Sequence, residues 1–227
     1  MSKRLQVNVT GALLATLLMW ASAPPESPVA DAAMRGDVAQ VRTLLRGGAD
    51  VNAAQGDGMT ALHWAAENGS AELAEMLLYA SANAAAVTRL GDYTPLHLAG
   101  KTGSASVVQV LLGGGADPHA ATSTGGVTPL HFAGGAGVVE SVSLLLEHGA
   151  SVDARETMWH QTPLMFAAAA GRVGVVEALQ GGNVLAGRQA CLCLVLAEYS
   201  HLTNPPPFGS FPPVRPRSTP PGRPGRT

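Results

Sequence analysis

Between residues 28 and 180, apolar side chains recur in short clusters with helical spacing, separated by polar and glycine-rich stretches. Residues 71–79 place their Leu and Met side chains on one stripe, which predicts an amphipathic helix. Residues 60–68 predict a shorter helix just before it, because Thr60 can cap its start and Gly69 can end it. The pattern therefore predicts pairs of short helices joined by polar loops.

These clusters follow a fixed period. The motif Thr-Pro-Leu-His starts at Thr94 and Thr128, and variants of it start at Thr60 and Thr162, each 34 residues after the previous copy. A glycine lies nine residues after each Thr, and paired leucines and a small-residue turn keep the same spacing. A period of this length indicates a stacked repeat protein, because one helix pair is too small to bury its own apolar face.

The repeated motifs resemble the ankyrin repeat over residues 28–180. The resemblance implies an all-α repeat solenoid in which helix-turn-helix units, each with a β-hairpin-like finger, stack in a curved array. We trace five units, the first without a Thr-Pro start and the last incomplete: 28–54, 55–87, 88–121, 122–155 and 156–180. Gly100 and Gly134 stand where this repeat normally has Ala, so we expect each to cost about 1 kcal/mol relative to Ala.

Three histidines occupy equivalent positions in successive units, at His63, His97 and His131. No carboxylate or Cys recurs beside them, as a zinc or iron site would require. The resemblance implies instead that each His bonds near the helix start and to the neighbouring finger. The glycine runs lack the Gly-Lys-Ser/Thr ending of a phosphate loop, and no nucleophile has a recognisable base and acid. We predict no catalysis, no cofactor and no metal.

The N-terminus has a different character from the repeats. A basic start, an apolar stretch at residues 11–20 and the small-residue pattern Ala21-Ser22-Ala23 predict a secretory signal peptide over residues 1–23. A short linker, 24–27, follows. An uncleaved membrane anchor is the alternative interpretation. We therefore expect a secreted or periplasmic protein, and the net charge of −2 favours neither nucleic acid nor an acidic membrane surface.

The repeat pattern stops at Leu179-Gln180, which leaves Val175, Val176 and Leu179 with no predicted cover. Residues 181–203 form an apolar segment that fits no ankyrin unit; its Cys191 and Cys193 are too close for an easy disulfide, and we interpret them as apolar residues. Residues 204–227 hold nine prolines and four arginines and predict a disordered tail. Two alternatives stay open: residues 190–200 cap the array, or residues 180–227 come from a frameshifted or truncated gene with further repeats beyond.

The resemblance also implies where a partner binds, since ankyrin proteins use their finger tips and the exposed side of the first helices, which line a concave groove. We predict a monomeric, exported, non-catalytic scaffold that binds a protein and neither nucleic acid nor a small-molecule substrate. The alternatives are a secreted effector acting on a host protein and a membrane-tethered scaffold. The candidate partner-binding residues are Met59, Glu67, Asn68, Arg89, Leu90, Tyr93, Lys101, Thr102, Thr124, Val127, Met158, Trp159 and Gln161. For Trp159 and Tyr93, packing between adjacent fingers is an alternative role.

Overall fold

The computed structural model describes residues 27–181, and within them the chain forms ten α-helices and no strand. The helices are α1 (Pro28–Met34), α2 (Val38–Arg46), α3 (Ala61–Glu67), α4 (Ala71–Tyr79), α5 (Pro95–Thr102), α6 (Ala105–Gly113), α7 (Pro129–Ala136), α8 (Val139–Glu147), α9 (Pro163–Ala169) and α10 (Val173–Gly181). They follow one another as five pairs, with an odd-numbered first helix and an even-numbered second helix. The predicted all-α repeat solenoid is confirmed.

Several predictions fall on other parts of the chain. The signal peptide (1–23), most of the linker, the apolar segment up to residue 203, its two cysteines, the cap at residues 190–200 and the tail (204–227) lie outside the described residues. Among the ten helices of residues 27–181, none is long and apolar enough to cross a bilayer.

The repeated start of the first helices rests on a capping box. Thr60, Thr94 and Thr128 have extended backbones, and each exchanges hydrogen bonds with the histidine three residues later. This satisfies N–H groups that the first turn of a helix leaves without partners. Helices α5, α7 and α9 begin with Pro, which has no backbone N–H and so leaves no unpaired donor at the first helical position.

The first unit carries a degenerate copy of this start, which the sequence analysis missed. Ser27 directly precedes Pro28, the first residue of α1, and is buried like the capping threonines. Gly36, with φ of +71°, follows nine residues after Ser27, as the equivalent glycines follow each Thr. The available signal was therefore the spacing to Gly36, because Ser-Pro-Val-Ala shares only its Pro with the full motif.

Stacking of successive pairs builds one continuous core. Each first helix packs on the next along the row from α1 to α9, and the second helices do the same from α4 to α10. Leucines at repeating positions lie between the helices, each at most 1% exposed: Leu62, Leu73, Leu77, Leu96, Leu111, Leu130 and Leu145. Burying each such side chain stabilises the fold by about 1.5–3 kcal/mol.

Gly100 and Gly134 lie where adjacent first helices approach closely. A β-carbon built on Gly100 would lie 2.7 Å from the carbonyl oxygen of Pro129, and one on Gly134 would lie 2.8 Å from that of Pro163. The expectation that these glycines cost stability relative to Ala is therefore wrong, because it counted helix propensity alone. An alanine would collide with the backbone of the next first helix.

The last helix pair buries more apolar surface than its sequence suggested. Val175 and Leu179, expected to be uncovered, are 0% and 3% exposed, and Val176 is half-buried. Helix α10 packs against both α8 and α9, so its apolar stripe faces the preceding unit. Val173, at the start of α10, is the exposed apolar residue there, at 68%.

Candidate protein-binding surface

Four fingers connect the helix pairs: finger 1 (55–59), finger 2 (88–93), finger 3 (122–127) and finger 4 (156–161). In each, the N–H of the first residue donates to the carbonyl oxygen of the last, at 2.9–3.1 Å. Adjacent fingers are also joined by backbone hydrogen bonds, as between Arg89 N–H and the Asp57 carbonyl at 2.9 Å or Thr157 N–H and the Gly125 carbonyl at 2.8 Å. The fingers are thus hairpin-like loops, without regular strands, whose tips follow one another along one edge.

Buried histidines fasten the first helices to the fingers. His97 Nδ1 lies 3.1 Å from the backbone nitrogen of Thr94, and its Nε2 lies 3.0 Å from the carbonyl oxygen of Val127 in finger 3. Since a backbone N–H only donates and a carbonyl only accepts, Nδ1 is the acceptor and Nε2 carries the proton. His63 and His131 make the same contacts, to Tyr93 at 2.9 Å and Gln161 at 3.1 Å. The structural role predicted for these histidines is confirmed.

Both nitrogens of each histidine are therefore occupied by protein atoms. Burial lowers the pKa of His63, His97 and His131 below the ordinary value of 6.5, although the hydrogen bonds to carbonyl oxygens partly oppose it. Within residues 27–181, no three His, Cys, Asp or Glu side chains are grouped so that they could hold a metal ion.

Finger 4 is held by a buried carboxylate. Glu156 stands where fingers 2 and 3 have Thr88 and Thr122, and it is only 4% exposed. Its carboxylate accepts hydrogen bonds from the N–H groups of Met158 at 2.7 Å, Trp159 at 2.6 Å and Gln161 at 2.9 Å. Burial alone would raise the pKa of Glu156, but these three donors outweigh it and lower the pKa below its ordinary value. The ionised carboxylate thus fixes the finger that presents Met158 and Trp159, which are 65% and 52% exposed.

We call the finger tips and the exposed positions of the first helices the inner surface. All thirteen candidate residues lie on the fingers or at the ends of the first helices. Eight are exposed: Asn68, Arg89, Leu90, Lys101, Thr102, Thr124, Met158 and Trp159. Five are half-buried: Met59, Glu67, Tyr93, Val127 and Gln161. No contact in the structure tests whether they bind a partner, so that role stays a prediction.

Some of these candidates also support the fold. The Asn68 amide donates to the carbonyl oxygen of Ala33 in α1 at 2.9 Å. The Thr102 hydroxyl donates to the carbonyl oxygen of Ala66 in α3 at 3.3 Å. The Tyr93 ring packs 6.0 Å from the ring of His97 and 5.9 Å from that of Phe132. Tyr93 thus takes part in packing between units, against rings of the first helices rather than against an adjacent finger.

A row of large apolar residues at the base of the fingers was missed. It occupies the fourth position after each cap: Trp64, Leu98, Phe132 and Phe166. The indole N–H of Trp64 donates to Gln55 in finger 1 at 2.8 Å, and the Phe166 ring lies 5.1 Å from that of His131. The signal was a repeating position that stays large and apolar while its identity changes.

The inner surface changes chemistry from one end to the other. Seven residues after each cap come Glu67, Lys101, Gly135 and Ala169, and eight residues after come Asn68, Thr102, Ala136 and Ala170. Glu67 and Lys101 form an ion pair at 3.1 Å between neighbouring units. The positions equivalent to them in the last two units carry no side chain larger than a methyl group. At these two positions, charged and polar residues therefore occur in the N-terminal half of the surface, and small residues occur in the C-terminal half.

Helix pairs joined by hydrogen-bonded fingers, stacked through a shared core, define a repeat protein of the solenoid class. The sequence model of the family described as ankyrin repeats (3 copies) matches residues 29–122 and again residues 96–186, more than two thirds of the chain together. The chain belongs to the ankyrin-repeat family. A search of curated proteins finds none that matches it. Ankyrin repeats are generally protein–protein interaction modules and typically non-catalytic scaffolds.

Proposed function

We propose that this protein is a non-catalytic scaffold that binds a partner protein through its inner surface, with Met158 and Trp159 of finger 4 as the anchor. The observation that carries the proposal is the exposure of these two large side chains on a finger whose backbone is fixed by Glu156. Trp and Met are enriched in interface cores, and Trp is enriched among the residues that dominate binding energy.

The rigidity of finger 4 supports the same proposal. Three hydrogen bonds to one buried carboxylate order the tip before any partner arrives. Less conformational entropy is then lost on binding, so more of the contact energy appears as affinity. Leu90 on finger 2, at 81% exposure, gives a second apolar contact on the same surface.

The test compares two exposed aromatic residues at different places. Trp159→Ala removes the proposed anchor, whereas Tyr79→Ala removes a side chain that is 95% exposed at the end of the second helix α4, outside the inner surface. After a partner has been isolated from the source cells, we expect Trp159→Ala to weaken its binding by about 2 kcal/mol or more, and Tyr79→Ala to leave it unchanged. Far-UV circular dichroism should show the same helix content in both variants.

Two outcomes would contradict the proposal. Loss of helix content in Trp159→Ala would show that Trp159 is a packing residue. Equal binding by the two variants would show that the partner does not use finger 4.

We propose further that the protein is exported. The basic start, the apolar stretch and the Ala-Ser-Ala pattern of residues 1–23 support a cleaved signal peptide. Cell fractionation with N-terminal sequencing tests this. A new N-terminus near residue 24 in the exported fraction is the expected result, whereas an intact chain in the membrane fraction would favour the tethered scaffold.

A further inference from the structure

The inner surface is polarised, and its polarity specifies the chemistry of the segment it binds. We infer that the partner presents a segment with basic side chains at one end and large apolar side chains at the other. The basic end lies at fingers 1 and 2, and the apolar end lies at fingers 3 and 4. This inference rests on the proposed function, because it takes the inner surface as the binding site.

The repeat array as a whole carries a negative charge. Residues 27–181 hold fourteen carboxylate side chains against seven Lys and Arg, a formal charge of −7, whereas the whole chain carries −2. Only two ion pairs occur in this range, Arg42–Glu72 and Glu67–Lys101, so most of these carboxylates are not neutralised by a neighbour. The field of the array therefore attracts basic segments and repels acidic ones during encounter.

The local charge at fingers 1 and 2 is also negative. Asp57 is exposed and Asp92 is half-buried, and neither forms an ion pair in the structure. Asp31, beneath finger 1, is hydrogen-bonded to the neutral amide of Gln55 at 2.6 Å. Arg89 is the opposing cation at these tips, since Lys101 is paired with Glu67 and Arg35 turns to Gln40 of α2. Carboxylates thus outnumber cations at this end.

Fingers 3 and 4 and the helices below them form the more apolar half of the inner surface. Gly135, Ala136 and Ala169 place no polar side chain on the first helices here, and Met158 and Trp159 are exposed on finger 4. The carboxylate on fingers 3 and 4, that of Glu156, is buried and accepts three backbone hydrogen bonds. A basic group of the partner would be desolvated here without a counter-ion, whereas an apolar group gains by burial.

The orientation of the segment follows from the cations that border the C-terminal half. The Arg172 Nε donates to the Gly135 carbonyl at 3.1 Å, and Arg155 approaches the His160 carbonyl at 3.4 Å. Both guanidinium groups keep their charge in these contacts and repel a basic end placed here. The basic end is therefore favoured at Asp57 and Asp92.

The test uses synthetic peptides as probes on the full-length protein. With 8–10 Å between packed helices, the three repeat steps from finger 1 to finger 4 span roughly 30 Å, which a helix of about 20 residues covers. Probe A carries Lys at one end and Leu and Phe at the other. Probe B replaces each Lys by Glu, and probe C has the composition of probe A with Lys and apolar residues interspersed. Fluorescence anisotropy of the labelled peptides gives the dissociation constants.

We expect probe A to bind about tenfold or more tightly than probes B and C at low salt, with the advantage over B shrinking as ionic strength rises. Asp57→Asn and Asp92→Asn should each weaken probe A by about two- to fivefold. At position 57, Asn keeps a side-chain oxygen that can accept the hydrogen bond from the Met59 N–H. At position 92, Asn tolerates the positive φ of +53°. Neither change should weaken probe B.

Trp159→Ala separates failure of this inference from failure of the proposed function. If Trp159→Ala weakens probe binding but probe B or C binds as well as A, or the Asp variants have no effect on A, the inference is wrong and the proposed surface stands. If a probe binds and Trp159→Ala does not weaken it, the proposed surface itself is wrong. If no probe binds, the inference is also overturned.

Discussion

Replacing Gly134 by alanine should destabilise the array, although alanine is the better helix former. Gly134 is buried in α7, and a β-carbon at this position lies 2.8 Å from the carbonyl oxygen of Pro163, the first residue of α9. The obstacle is backbone rather than a flexible side chain. Helices α7 and α9 would therefore have to move apart, which loosens the contact that the two units share.

Two effects of opposite sign determine how much Gly134→Ala changes the free energy of unfolding. Alanine in place of glycine inside a helix gains about 1 kcal/mol, and forcing an extra carbon into a packed contact costs about 1–3 kcal/mol. Gly135, the next residue in α7, has no atom within 4 Å of a β-carbon built on it. Its replacement by alanine should show the gain alone. Because the gain is common to both positions, the free energies of unfolding of the two variants should differ by about 1–3 kcal/mol.

Urea unfolding followed by far-UV circular dichroism measures this difference. The native protein, Gly134→Ala and Gly135→Ala are compared by midpoint and by slope, because a changed slope would mean that the array no longer unfolds as before. We expect the Gly135→Ala midpoint to be the highest and the Gly134→Ala midpoint to be the lowest. Equal increases for both variants would refute the reasoning, since they would show that α7 and α9 accommodate the methyl group without cost.

Three further predictions concern the repeat frame. The free energy of unfolding should be fully retained above about pH 6.5 and should fall as the pH drops below that value. The reason is that folding lowers the pKa of the three buried histidines, so the folded state binds fewer protons than the unfolded chain. Urea midpoints that do not change between about pH 7 and pH 5 would contradict this. Ser81→Gly should stabilise by up to about 1 kcal/mol, because Ser81 has φ of +66° where the other units have glycine; a lower thermal midpoint would refute it. Met165→His should stabilise the folded protein by about 1 kcal/mol, because the imidazole would give the buried, unpaired hydroxyl of Thr162 a hydrogen-bond partner. An unchanged urea midpoint would show that the imidazole does not reach this hydroxyl.

The helices were predictable because their signals are local and repeat five times. The stripe of residues 71–79 predicted α4 with the bounds that it has, and Thr60 and Gly69 bracket α3 as cap and terminator. The role of the histidines was implied by the resemblance to ankyrin repeats, which rests on the repeated Thr-Pro-Leu-His motif. Such features depend on a few neighbouring residues, so one sequence contains enough information to find them.

Other features depend on contacts between units and could not be inferred from one unit. From helix propensity alone, Gly100 and Gly134 were expected to lower the stability of the array. The structure shows that the backbone of the next first helix lies too close to admit a β-carbon at either position. Val175 and Leu179 looked uncovered because the face that α10 turns to α8 and α9 is set by stacking. Glu156 occupies the finger position of Thr88 and Thr122, but its added hydrogen bonds to the N–H groups of Met158 and Trp159 depend on the loop geometry of finger 4.

The binding surface was only partly predictable. The resemblance to ankyrin repeats identified fingers and first helices, and the structure shows which of those side chains are exposed. It also separates Tyr93, whose ring packs within the array, from Trp159, which lies half in solvent at a finger tip. The polarity of the inner surface emerges only when equivalent positions of successive units are compared side by side.

Site-specific photo-crosslinking in the source cells tests whether the inner surface binds a partner protein. A photo-reactive phenylalanine analogue replaces Trp159 on finger 4 in one variant and Tyr79 on helix α4 in the other. We expect one discrete crosslinked protein from position 159 and none from position 79. A partner captured from position 79, with none from position 159, would contradict it.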